Sequence, residues 1–176
     1  TFYDGRLLTV PDERLIAPRG GPLEAGRSPD GDAAAAALRQ RPLSFHHIPY
    51  GIYEKRRNRA EADYIAHLIR GLLDQRSGLS IGVVAFSEAQ QDEIENALQR
   101  LAQQDRDFGD LLDAEREREV DGQFVGLLVK NLENIQGDER DVVILSICYG
   151  RGPDGRMLMN FGPINKNGGE KRLNVA

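Results

Sequence analysis

The chain has 176 residues, a formal net charge of −5, 40% hydrophobic residues and 29% charged residues. This length fits one domain, and the acidic balance excludes a broad basic surface that would draw nucleic acid to the whole molecule. The one cysteine, Cys148, excludes an internal disulfide framework. No apolar run approaches the roughly 18 residues of a membrane span, so we expect a cytoplasmic protein that makes no membrane contact.

Both ends of the sequence indicate a piece of a longer polypeptide, because it starts at TFYDGRLL without Met and stops at KRLNVA. Residues 1–16 are interpreted as a lead-in. Residues 17–42 are rich in Gly, Pro, Ala and Arg and predict a flexible linker or insertion, with one helical turn within Ala33–Leu38. Residues 43–176 are expected to form the ordered domain.

Apolar strands and capped helices alternate after residue 43. The pairs Asn58 with Glu61 and Ser87 with Gln90 have the spacing of a capping box, in which a polar side chain closes the first turn of a helix. Apolar residues at helical spacing follow each pair. Three apolar strands are predicted at Ser80–Phe86, Phe124–Lys130 and Asp141–Tyr149.

Strands that are apolar throughout and separated by amphipathic helices predict an α/β fold with a mainly parallel sheet covered on both faces. Ligands of such sheets bind outside the carboxyl ends of the strands. The polar segment Asn131–Arg140 follows the carboxyl end of the second strand and is therefore expected at that edge. The charged run 104–123 predicts a ragged continuation of the preceding helix or a solvated excursion.

Other catalytic sites are not predicted. The stretch GRGPDGRM at 150–157 has two glycines at P-loop spacing, but Arg and Met stand where Lys and Ser or Thr are required, so PDG predicts a turn. His46 and His47 are adjacent and lack ligand partners, so no metal site is expected. Cys148 lies in an apolar strand and is interpreted as an inert core residue.

The polar segment has residue types that suit a nucleotide. Gly137 permits a tight turn and a close approach of the backbone, and Gln136 offers an amide donor and acceptor. Glu139 could accept a hydrogen bond from a ribose hydroxyl. The chemistry alone is equally consistent with a polar crossover connection, in which Asp138, Arg140 and Asp141 are solvated loop charges.

A family resemblance favours the first interpretation. The stretch VKNLENIQGDERDVVILS resembles motif V of superfamily 1 helicases, in the branch that includes the nonsense-mediated-decay helicase. In the family's order, RNRAEADYIAHLI resembles the N-x-x-E-A helix of the second RecA-like lobe, IGVVAFSEAQQDEIENAL resembles motif IV, and GGEKRLNVA resembles the opening of motif VI. FYDGRLL resembles the segment after motif IIIa. The resemblance covers most of the chain except residues 17–42 and 105–123.

The resemblance implies a RecA-like three-layer sandwich of the P-loop NTPase type that lacks its own P-loop. It implies the C-terminal motor lobe of an ATP-dependent helicase or translocase on single-stranded DNA or RNA, with the N-terminal lobe of the same polypeptide supplying the P-loop and the Mg²⁺ ligands. The implied ATP-binding residues are Gln136, Gly137 and Glu139. The implied nucleic-acid-binding residues are Ser87, Gln90, Lys130 and Asn131.

Several departures and alternatives accompany this interpretation. Ser87 replaces an aromatic residue common in motif IV, and for Ser87 and Gln90 the capping box is an equal alternative. The motif VI arginine would lie beyond Ala176, so the domain is interpreted as ending inside motif VI and the chain alone is expected not to hydrolyse ATP. The rival functions are a non-catalytic doubly wound protein-interaction domain and a complete small-molecule enzyme that holds a nucleotide tightly.

Overall fold

The computed structural model describes residues 23–24, 26, 30–40, 43–135 and 137–157. The helices are α1 (Gly31–Gln40), α2 (Arg59–Asp74), α3 (Glu88–Gln104) and α4 (Arg106–Arg116). The strands are β1 (Leu23–Glu24), β2 (His46–His47), β3 (Tyr53–Glu54), β4 (Arg57–Asn58), β5 (Ile81–Ala85), β6 (Glu119–Val120), β7 (Gln123–Phe124), β8 (Leu128–Asn131) and β9 (Val142–Ser146). The lead-in at 1–16 and the opening of motif VI lie outside the described residues.

Strand β5 is the centre of a parallel three-stranded sheet with the order β8-β5-β9. Ala85 pairs with Asn131 of β8 and with Ser146 of β9, so the carboxyl ends of all three strands meet at one edge, the carboxyl edge. The predicted α/β class with a parallel sheet is confirmed. The arrangement is consistent with a RecA-like fold of the P-loop NTPase type.

Helices α2 and α3 cover one face of this sheet. Alternate residues of β5 point into the core beneath them because successive side chains of a strand face opposite ways. Both helices begin at the predicted caps and present apolar stripes at helical spacing. The core residues from these elements include Ile65, Ile69, Leu72, Ile81, Val83, Ala85, Ile94 and Leu98.

The opposite face of β5 is covered by the connection between β8 and β9, in which Leu132 and Ile135 pack on Val84. Because β8 and β9 flank β5 on opposite sides and run parallel to it, this connection must cross from the carboxyl edge to the amino edge of the sheet. The segment Asn131–Arg140 follows the carboxyl end of β8 as expected, and it leads to Asp141 at the amino edge beside Ser80. We call residues 132–141 the crossing segment.

The charged run after α3 forms a separate helix, which corrects the prediction of a ragged continuation. Asp105 ends α3 and caps α4, since its Oδ1 accepts a hydrogen bond from the N–H of Phe108 at 3.1 Å. Phe108 and Leu112 lie one turn apart and are each 1% exposed, so α4 contributes to the core. The β6–β7 hairpin that follows takes Phe124 out of the predicted second strand, which begins at Leu128.

Helix α1 occupies part of the stretch interpreted as a linker. It has 10 residues rather than the single turn expected within Ala33–Leu38. Ala34 and Ala35 are buried, and a Cβ added to Gly71 of α2 would overlap the carbonyl group of Gly31. Residues 31–40 therefore pack closely on α2.

Candidate functional site

A network of buried polar groups joins the carboxyl edge of the sheet to the first turns of α2 and α3. The side chain of Gln90 is completely buried. Its Oε1 accepts a hydrogen bond from the N–H of Asn58 at 2.7 Å, and its Nε2 donates to the Asn58 carbonyl oxygen at 3.3 Å. The same Nε2 donates to Ser146 Oγ at 3.1 Å, and the Ser146 hydroxyl donates to Glu61 Oε1 at 2.7 Å. One amide thus connects β4, α3 and β9.

The carboxylate of Glu61 also holds the chain just after β9. Its Oε1 accepts a hydrogen bond from the N–H of Cys148 at 3.0 Å. Burial raises the pKa of Glu61 and outweighs the opposing effect of its hydrogen bonds from Ser146 and the backbone. Burial and the nearby Glu61 raise the pKa of Cys148 to about 12, which keeps the thiol protonated. The prediction that Cys148 is a buried core residue is confirmed, although it follows β9 rather than lying in it.

The two predicted helix caps are confirmed, but Gln90 does not make the return bond of a capping box within its own helix. Asn58 Oδ1 accepts from the N–H of Glu61 at 3.2 Å, and Ser87 Oγ accepts from the N–H of Gln90 at 3.1 Å. In a capping box Gln90 would return to Ser87, whereas here it binds the cap residue of α2. Ser87 is 7% exposed and Gln90 is 0% exposed. Contact of these two residues with nucleic acid stays a prediction.

Lys130 and Asn131 end β8 at the carboxyl edge, and both are partly exposed. Lys130 Nζ lies 2.7 Å from Asp138 Oδ2. Asn131 Oδ1 accepts a hydrogen bond from the N–H of Glu133 at 3.1 Å and so shapes the start of the crossing segment. Their contact with nucleic acid stays a prediction, in which a phosphate group would have to compete with Asp138 for Lys130.

The middle of the crossing segment is exposed. Gly137 has a φ of +88°, a conformation that side-chain-bearing residues rarely adopt, and a Cβ added there would meet nothing within 4 Å. The turn expected at Gly137 is therefore present. The side chain of Glu139 is exposed, and Gln136 lies outside the described residues. The assignment of all three to ATP binding stays a prediction.

Two side chains fix the far end of the crossing segment: Asp141 is exposed, Arg140 is half-buried, and both form hydrogen bonds to distant residues. Asp141 Oδ2 accepts hydrogen bonds from the N–H and the hydroxyl of Ser80, at 2.8 and 2.7 Å. These bonds lower the pKa of Asp141. Arg140 Nε donates to the carbonyl oxygen of Gly126 at 3.2 Å, and its guanidinium lies 5.4 Å from the centre of the Phe124 ring. Sequence reasoning missed these contacts because each partner is distant along the chain.

The Gly-rich stretch at 150–157 and His46 have structural roles. The turn predicted at 150–157 is confirmed, since the N–H of Gly152 donates to the Arg156 carbonyl oxygen at 2.8 Å. His46 Nδ1 lies 2.5 Å from the hydroxyl oxygen of Tyr64. Within the described ranges, no helix is both long enough and apolar enough to cross a membrane.

Comparison with known proteins identifies the family of the chain. Residues 1–176, the whole chain, match a protein family described as an AAA domain. The chain belongs to this family. The AAA domain is 40% identical over 139 residues, 78% of its length, to the "uncharacterized ATP-dependent helicase MG140" of Mycoplasma genitalium. It is 39% identical over 133 residues, 74% of its length, to the protein of Mycoplasma pneumoniae named as the homolog of MG140.

The matched part of these relatives is small. The AAA domain spans 12% of the length of the Mycoplasma genitalium protein and 11% of that of the Mycoplasma pneumoniae protein. No solved structure matches the chain.

Proposed function

We propose that this AAA domain is the second RecA-like motor lobe of an ATP-dependent superfamily 1 helicase or translocase that acts on single-stranded DNA or RNA. Both relatives are named ATP-dependent helicases, which supports the proposal. The order of the motif V, motif IV and N-x-x-E-A resemblances supports the assignment to the second lobe.

The observation that carries the proposal is the crossing segment. It is fixed at its start by the hydrogen bond from the N–H of Glu133 to Asn131 Oδ1, and at its end by the hydrogen bonds between Asp141 and Ser80. Between them Asp138 forms an ion pair with Lys130 of β8. Between these points Gly137 and Glu139 are exposed on a defined backbone. A short segment that is rigid at both ends and exposed in the middle is suited to bind one ligand while its start contacts another.

In this proposal Gln136, Gly137 and Glu139 bind ATP, with the open space at Gly137 allowing the backbone to approach a phosphate group. Lys130 and Asn131 contact the nucleic-acid backbone at the carboxyl edge. Ser87 and Gln90 are buried beneath the same edge, so in this proposal they act on the strand by positioning that edge. The residues proposed to form the nucleic-acid site are Ser87, Gln90, Lys130 and Asn131.

The proposal includes partners outside this chain. The N-terminal RecA-like lobe of the same polypeptide would supply the P-loop and the Mg²⁺ ligands, and ATP hydrolysis would supply the free energy for movement along the strand. The residues of this AAA domain bind and orient but do not complete the catalytic machinery. We place the full-length protein in the bacterial cytoplasm.

The test is ATP hydrolysis by the full-length protein with and without single-stranded DNA or RNA, for wild type and Glu139→Gln. A hydrogen bond to a charged group contributes about 1.5–3 kcal/mol, so we expect strand-stimulated hydrolysis to fall about 10- to 100-fold in Glu139→Gln. Glu133→Gln is the matched control, because Glu133 is an exposed acid of the same crossing segment. Equal activity of both variants and wild type would remove Glu139 from the site.

A second candidate function, a non-catalytic protein-interaction domain, is favoured by one observation. Val143 and Leu145 of β9 are each 49% exposed on the sheet face that the crossing segment covers at β5. Apolar residues that alternate along an exposed strand face suit contact with another protein surface. This function predicts that the full-length protein shows no strand-stimulated hydrolysis of ATP.

A further inference from the structure

The hairpin formed by β3 and β4 has an unusual turn. Tyr53 pairs with Asn58 and Glu54 pairs with Arg57, which leaves Lys55 and Arg56 as a two-residue loop. Their φ angles are +51° and +65°. Positive φ at both central residues is the signature of a type I′ turn, in which Asn-Gly is the favoured pair because long side chains are disfavoured there. Lys and Arg are therefore not the residues that the turn alone would select.

The same hairpin concentrates positive charge in an acidic chain. The segment Tyr53–Arg59 has four cations and one acid, Glu54, whereas the whole chain has a net charge of −5. Arg57 is already neutralised, since its guanidinium lies 3.1 Å from Glu93 Oε2. Lys55 and Arg56 are exposed, and no salt bridge joins either of them to a residue that the structure describes.

The hairpin is anchored at the carboxyl edge of the sheet. The hydroxyl group of Ser87, which follows β5, donates a hydrogen bond to the carbonyl oxygen of Arg56. The ring of Tyr53 lies 5.3 Å from the ring of Tyr149, which follows β9. Asn58, at the end of the hairpin, is held by Gln90. The turn is thus fixed beside the ends of β5 and β9, on the edge where β8 presents Lys130.

We propose that Lys55 and Arg56 are a phosphate-binding tip for the backbone of single-stranded nucleic acid, an inference that rests on the proposed function. Exposed cations attract the phosphate backbone and release its counterions. The anchored turn holds both charges in a fixed position, so less conformational freedom is lost on binding than at a flexible loop. This function explains why the turn sequence departs from the favoured one, because strained backbone conformations occur often at binding sites.

The test measures binding of the full-length protein to fluorescein-labelled oligothymidylate and oligouridylate over a series of salt concentrations, without nucleotide. The variant Lys55→Asn with Arg56→Gly removes both charges and installs the favoured type I′ pair, so it preserves the turn. Each phosphate contact to a single strand contributes about −0.7 to the slope of log K against log salt. We expect the slope of the double variant to be less steep by about 1.4, with weaker binding at low salt.

The matched control removes two exposed charges at the opposite end of the helices. Arg76 follows α2 and has a φ of +46°, and Arg106 begins α4 after the end of α3. Helices α2 and α3 start at the carboxyl edge, and a rise of 1.5 Å per residue places their ends about 25 Å away. Arg76→Gly with Arg106→Ala should keep the wild-type slope. The exchange Lys55→Arg with Arg56→Lys keeps both charges and should also keep it.

The outcomes separate this inference from the proposed function. If the wild-type protein binds neither oligonucleotide, strand contact fails for the whole protein, and both proposals are overturned. If wild type binds and Lys55→Asn/Arg56→Gly has the wild-type affinity and slope, only the tip is overturned. Support requires a reduced slope in that variant alone, with strand-independent ATP hydrolysis equal to wild type as a measure of an intact fold.

Discussion

The side-chain amide of Gln90 is buried, and its hydrogen bonds go to Asn58 of β4 and Ser146 of β9. Gln90→Ala would leave the buried N–H of Asn58 without its acceptor, and an unsatisfied buried donor costs about 1–3 kcal/mol. We expect the free energy of unfolding to fall by at least this amount in urea denaturation of the 176-residue chain. Gln99→Ala, at an exposed position of the same helix, should change it by no more than about 0.5 kcal/mol. Equal stability of the two variants would contradict the network.

Glu61 makes the stability of the fold depend on pH. Because burial raises its pKa above the ordinary value of 4.5, the folded state binds this proton more tightly than the unfolded state. The resulting stabilisation is fully present below pH 4.5 and is lost as the pH rises through the raised pKa. Glu61→Gln has no charge at any pH, and its amide oxygen can accept the bonds from Ser146 and Cys148.

The pH prediction concerns the difference between two proteins. As the pH rises from 4.5 through the raised pKa, the free energy of unfolding of Glu61→Gln should increase relative to that of wild type. Urea denaturation at a series of pH values measures this difference, in which contributions from other carboxyl groups cancel. A difference that does not change with pH would show that Glu61 titrates alike in the folded and unfolded chain.

At the scale of elements, α1 and α2 pack at a pair of glycines. A Cβ added to Gly71 would overlap the backbone carbonyl of Gly31, and this carbonyl cannot move aside without the helix. Gly71→Ala should therefore displace α1, even though Ala favours a helix more than Gly does by about 1 kcal/mol. Hydrogen exchange of the α1 amides measures the displacement, and faster exchange is expected in the variant. Unchanged exchange would mean that α1 does not depend on this contact.

The local elements were predictable from the sequence because their signals are local. Caps at Asn58 and Ser87 and the apolar run of β5 each depend on residues within a few positions of one another. The route of the crossing segment was not predictable, because it follows from the strand order, which no periodicity encodes. The hydrogen bonds of Asp141 were not predictable for the same reason, since its partner Ser80 precedes it by 61 residues.

The candidate site was predictable in part. Glycine adopts a positive φ readily, so the sequence predicts a tight turn at Gly137. Its φ of +88° agrees with that turn. The burial of Gln90 was not predictable from its place in motif IV, because a polar side chain in the first turn of a helix is usually exposed to solvent. Only the packing of the first turn of α3 against Asn58 and β9 gives its side-chain amide three internal hydrogen bonds.

At the scale of the whole molecule, net charge and local charge have opposite signs. The chain carries −5 overall, yet Lys55, Arg56 and Lys130 lie at the carboxyl edge of the sheet. In the proposed function the acidic surface would limit nonspecific attraction of nucleic acid, and the fixed cations Lys55 and Arg56 would attract a strand at one edge. Such a distribution would suit a protein that holds a strand at one place and must release it to move.

The isolated chain tests the proposal that essential catalytic groups come from other parts of the full-length protein. No Lys in its 176 residues is followed by Ser or Thr, so it lacks the P-loop pair that contacts the β- and γ-phosphates and Mg²⁺. The proposed function assigns the finger arginine to the full-length protein, and loss of such an arginine alone costs about 10³- to 10⁵-fold in rate. Phosphate release by the purified chain should therefore be at least about 10³-fold slower than by the full-length protein. A chain that retains stoichiometric nucleotide or hydrolyses ATP at the full-length rate would instead be a complete small-molecule enzyme.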